Sequence, residues 1–111
     1  MPLDYMVQQA AERLKARLMQ ACPADLDEVR VYGSRARGDA HEESDLDVLI
    51  LTRGDASEIE AEVFRAARCV LEELGYPFPI SPQVMTRAHF DELLRRERLF
   101  ARTVLEEGVA V

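Results

Sequence analysis

The sequence predicts an α/β domain, a small mixed three-stranded sheet packed by helices. Three observations predict it. Helical and strand periodicities alternate along the chain. Residues 46–51 form an almost continuous apolar run, as in a strand covered on both faces. Two long segments carry apolar stripes at spacings of three and four.

Each element follows in order. Residues 4–21 read as a helix, with Met6, Val7, Ala10, Ala11, Leu14, Leu18 and Met19 as its stripe and Pro23 closing the segment. Residues 28–32 are a short strand with Val29 and Val31 facing one way, and Gly33 breaks it. Residues 34–37 allow one helical turn, and 38–44 are polar loop. After the apolar strand 46–51, residues 52–56 make a turn. Ser57 then caps a second long helix through Leu74, with Glu60 completing a capping box. Its stripe is Ile59, Val63, Ala66, Ala67, Val70, Leu71 and Leu74, and Gly75 ends it. Residues 76–86 read as a third strand, which Pro82 pushes to a sheet edge. From Thr86 the C-terminus is helical, divisible into two helices, burying Phe90, Leu93, Leu94, Leu99, Phe100, Val104 and Leu105.

A chain of 111 residues builds one domain, 1–111, around one core. No internal repeat or low-complexity tract divides it. The net charge of -7 argues against a broad nucleic-acid surface, which needs a basic patch to displace counterions. Of the 14 basic residues all but Lys15 are arginine, so a local basic pocket stays available. No signal peptide is expected, and no apolar run approaches the roughly 20 residues that span a membrane. Cys22 and Cys69 lack metal or redox spacing and read as buried reduced thiols, which points to the cytoplasm.

The chemistry concentrates in "VYGSRARGDAHEESDLDVLIL", residues 31–51. Asp45 and Asp47 alternate along a strand, so both point to one side. Two carboxylates that close repel unless a cation joins them, and their oxygens suit Mg²⁺ or Mn²⁺. Gly33 lets backbone approach a ligand, and free N–H groups at the following turn favour an anion. Ser34 adds a hydroxyl, and Arg35 and Arg37 add positive charge. Phosphate is the anion this suits, and a phosphate cradle opposite a carboxylate pair is what metal-assisted phosphoryl chemistry needs. Singly, Ser34 also reads as a plain helix cap and "SDLD" as a solvated strand entry. Jointly, G-S-x10-D-x-D should occur by chance on the order of once in a thousand chains of this length. His41, His89, Glu42, Glu43 and the run Arg95–Arg98 read as solvated surface.

"GSRARGDAHEESDLDVLI" resembles the signature of the minimal nucleotidyltransferases, within the DNA polymerase β-like superfamily. The element order and the tail "LFARTVLEEGVAV", similar to a closing helix in small members, agree. The resemblance implies that Gly33 and Ser34 bind a nucleoside triphosphate, ATP being the expected donor, and that Asp45 and Asp47 hold the metal ions. The implied reaction is transfer of a nucleoside monophosphate to a hydroxyl, with pyrophosphate leaving. The family pattern also has a third carboxylate on the third strand. There this chain reads Ile80, Ser81, Pro82, Gln83, Val84, with Ser81 and Gln83 on the face where the acid belongs. The alternative is therefore a lapsed module that works by binding a partner. An antibiotic-modifying enzyme is disfavoured, because no chain remains for an acceptor-binding domain. The resemblance further implies a small all-helical HEPN-type partner, in a toxin–antitoxin pair whose toxin is adenylylated on a tyrosine. Self-association is compatible with the sequence.

Overall fold

The computed structural model describes residues 3–111. Nine elements follow the expected alternation: α1 (Tyr5–Ala21), β1 (Leu26–Tyr32), α2 (Ser34–Arg37), β2 (Leu46–Thr52), α3 (Ala56–Leu74), β3 (Ile80–Thr86), α4 (Arg87–Arg95), α5 (Leu99–Glu107) and β4 (Val109–Ala110). The sheet runs in the order β3-β2-β1-β4. β1 lies antiparallel to both β2 and β4, whereas β2 and β3 are parallel, joined through α3. The sheet is mixed, as expected, but has four strands rather than three.

The extra strand comes from the tail. α5 stops at Glu107, and Gly108 turns the chain back against β1. A Cβ at Gly108 would collide with the carbonyl of Val104 and stand 3.1 Å from that of Val31, so the turn needs glycine. Val111 N–H then donates to Val29 O (3.0 Å), and Lys15 Nζ to Val111 O (2.5 Å). A second correction concerns α3. Its N-cap is Asp55, whose side chain accepts from Ser57 N–H (2.9 Å), so Ser57 sits inside the first turn rather than capping it. Cys22 and Cys69 are free thiols, half-buried rather than buried.

Alternation along the strands creates two apolar layers. Val29, Val31, Leu46, Val48 and Ile50 meet α1 and α3, including Leu14, Leu18, Ile59, Val63 and Val70. Leu49, Leu51 and Met85 face the other way, onto Phe90, Ala101 and Val104 of α4 and α5. Pro82 lies in β3, an edge strand, where a missing N–H costs no internal ladder bond. Among the described residues no helix is long and apolar enough to cross a membrane.

Candidate active site at the end of strands β1 and β2

The second sheet face is covered by α4 and α5 only over part of its length. At the margin of that cover, where Tyr32 still packs against α5, the last residue of β1 and the first residues of β2 place polar groups. Tyr32 pairs with Asp47, and Asp47 pairs with Ser81 of β3. In-register neighbours share a face, so these three side chains form one rung.

Gly33 follows Tyr32 with φ 77° and ψ -158°, a region essentially reserved for glycine. Forcing another residue into it costs about 1–3 kcal/mol. Space demands glycine as well: a Cβ there would overlap Asp47 Oδ2, with Asp47 Cγ at 3.3 Å. The turn and the carboxylate are thus in direct contact. Ala36 and Arg37 N–H both donate to Gly33 O (3.1 Å each), which closes α2. Helix geometry leaves the preceding amides, Ser34 and Arg35, without an intrahelical acceptor. Ser34 is half-buried, and its carbonyl accepts from Gly38 (3.0 Å) and Asp39 (3.2 Å).

The two arginines differ. Arg35 folds back, donating from Nε and Nη2 to Ser44 O (3.0 and 2.9 Å) and from Nη2 to His41 O (3.2 Å). Its guanidinium lies 4.3 Å from the ring centroid of Phe78. This fork ties the polar loop to the turn and thereby sets the approach to Asp45. Arg37 is exposed, with Asp39 at 3.2 Å and Glu107 at 3.4 Å.

Asp45 is exposed just before β2, and Asp47 is half-buried in it. Burial, then the charge of Asp45, pushes the Asp47 carboxyl above the ordinary carboxylate range, and Arg37 partly offsets this. Asp45 is thus close enough to act on the Asp47 carboxyl. Tyr32 is also raised, by burial and then by Asp47. Its ring meets Phe100 edge-on at 5.6 Å.

No acid stands on β3. Ser81 and Gln83 are both exposed on the site's face, and among the described residues no group of three or more His, Cys, Asp or Glu is placed to hold a metal. The pair nonetheless fits a divalent cation: two repelling oxygen donors and a glycine turn kept open against one of them. Glu42 and Glu43 instead border a groove of about 590 Å³ with Arg35 and Phe78. His41 helps fold its own loop, Nδ1 accepting from Glu43 N–H (3.3 Å). A separate hollow of about 270 Å³ between α1 and α3 holds none of these residues.

Sequence reasoning missed Tyr32 as a neighbour of Asp47. The alternation that turned Val29 and Val31 inward would have found it, since Tyr32 must then face the other way. The Phe78 platform under Arg35 left no local signal, because it depends on chain crossing.

A family model of the nucleotidyltransferase domain matches residues 8–111. A crystal structure from Sulfolobus solfataricus, assigned as a nucleotidyltransferase, superposes with a TM-score of 0.61 at 24% identity, covering 95% of this chain and 78% of that one. A structure assigned as a minimal nucleotidyltransferase gives a TM-score of 0.60 at 25% identity, covering 95% of each chain. No curated protein sequence matches significantly.

Proposed function

Because the chain belongs to the nucleotidyltransferase domain family, we propose that it transfers a nucleoside monophosphate, AMP from ATP, to a hydroxyl in a reaction dependent on Mg²⁺ or Mn²⁺. The observation that carries this reading is the contact between Gly33 and Asp47, with Asp45 close enough to act on the same carboxyl. A glycine turn offering amides beside a carboxylate pair suits a metal–triphosphate.

Asp45 and Asp47 would hold the divalent cation. Bound there, the ion would offset charge on the triphosphate and on the departing pyrophosphate. The chain's own groups do the rest. Gly33 keeps the backbone low enough for phosphate oxygens to reach the amides of Ser34 and Arg35, and the Ser34 hydroxyl adds a donor. Arg37 contributes a positive charge on the Asp47 side, and Arg35 holds the loop that delivers Asp45.

Ser81 opposite Asp47 bears on the acceptor. Serine is no general base, and base catalysis is typically worth 10² to 10⁴ in rate, about 3–5 kcal/mol. An acceptor that releases its proton easily suffers least. A phenol, with pKa about 10, meets that need far better than an alcohol near water's roughly 15.7. This favours a tyrosine, and we assign it to a small all-helical HEPN-type partner neutralised by the modification.

The same serine favours a second reading, a module that binds its partner without modifying it. Label transfer from α-labelled ATP with Mg²⁺ to the co-expressed partner, followed by intact mass, separates the two. We expect slow transfer, abolished by Asp45→Asn and by Asp47→Asn. No label on the partner, with unchanged partner affinity in the double variant, would decide for the binding module.

A further inference from the structure

We propose that this site holds a single divalent cation, the one that arrives with the triphosphate, because Ser81 stands where the ligand for a second ion would have to come from. The inference rests on the transfer site described above and specifies its metal content.

Two-cation sites place their ions about 3.5–4 Å apart and must surround both with oxygen anions. Mg²⁺ asks for a near-octahedral oxygen shell, so a pair of ions draws heavily on protein carboxylates. The rung through Asp47 offers none besides Asp47 itself: its neighbours are the phenol of Tyr32 and the hydroxymethyl of Ser81. The next rung is Arg30, Leu49 and Gln83, which adds no carboxylate, and Arg30 is itself paired with Glu28 at 3.3 Å. Of the other acids nearby, Asp39 and Glu107 pair with Arg37, while Glu42 and Glu43 are exposed on the loop and border the groove beside Phe78. Two carboxylates plus the nucleotide's phosphates can complete one shell. They leave a second ion with shared ligands and strong repulsion from the first.

Counting Mn²⁺ tests this. The ion is titrated into the protein saturated with an ATP analogue whose α–β bridge cannot be cleaved, and free Mn²⁺ is read by electron paramagnetic resonance. Wild type and Ser81→Ala should bind one ion per nucleotide-loaded chain. Ser81→Asp should bind two. Outer-shell partners of metal ligands are already worth about 10–100-fold in affinity, so a direct ligand at 81 should tighten the second ion at least tenfold. Gln83→Glu, one rung away, should stay at one. Two ions on the wild type overturn the inference and leave the transfer site standing. One ion on a Ser81→Asp protein that melts as cooperatively as wild type also overturns it. If Ser81→Asp does not fold, the wild-type count decides alone. No analogue binding at all would overturn the inference together with the reading beneath it.

Discussion

Asp47 is held at a cost. Its carboxyl is half-buried, faces Asp45 and lies against Gly33, and its pKa is raised chiefly by burial. A carboxyl raised in the folded state contributes stability that is complete below its ordinary pKa and lost as pH rises through the folded value. At neutral pH its charge therefore opposes folding. In chelator, Asp47→Asn should melt higher than wild type at pH 7, and the gap should close in acid below the carboxylate range. The same variant should lose metal-dependent nucleotide binding. Thermal melts across pH check this, and a lower melting point for the variant at pH 7 would show that the charge is compensated within the chain. Functional residues often carry such strain, since the ligand that relieves it is absent during folding.

At the scale of elements, caps decide where helices begin. Asp55 accepts from both the backbone N–H and the hydroxyl of Ser57, at 2.9 and 2.8 Å. These bonds, the backbone one first, hold its carboxyl below the ordinary range. A depressed carboxyl contributes stability present above its unfolded pKa and lost as pH falls through the folded value. Asp55→Ala should lower the melting temperature at neutral pH more than Ser57→Ala, which removes only one of the two bonds. The difference should vanish in acid. Were Ser57→Ala the more damaging at pH 7, the cap would belong to Ser57. Both residues are good N-caps by type, and only the path of the turn from Thr52 chose between them.

Over the whole molecule, the two sheet faces are unequally covered. α1 and α3 bury a large shared core, while α4 and α5 contribute Phe90, Ala101 and Val104 as fully buried side chains. Leu99 is 79% exposed, Leu105 51% and Phe100 36%, so three residues of the C-terminal set expected inside lie at the surface. Few buried contacts mean a low local opening free energy. Amides of α4 and α5 should therefore exchange hydrogen well before those at the centres of β1 and β2, by at least about an order of magnitude for each 1.4 kcal/mol of difference in opening. Native-state hydrogen exchange reads this directly. Equal protection across both layers would mean that the molecule opens only as a unit. The weakly covered face is also the one that presents Asp47, so an acceptor would approach the layer that yields most readily.

The sequence alone determined the α/β class, the alternation of elements and the pairing of a glycine turn with two carboxylates. Those features rest on local periodicity and short-range spacing, which the chain states without folding. It also showed the serine at position 81, because alternation along one strand is local too. Tertiary structure decided what depends on segments distant in sequence. The fourth strand needs β1's free edge beside Gly108, a contact no local pattern encodes. Arg35 and Arg37 look alike in sequence, yet Arg35 is drawn to Ser44 and Phe78 while Arg37 stays exposed, paired with Asp39 and Glu107. Charge at a position is a property of the residue. Where that charge acts is settled by which backbone carbonyls and rings the fold brings within its reach.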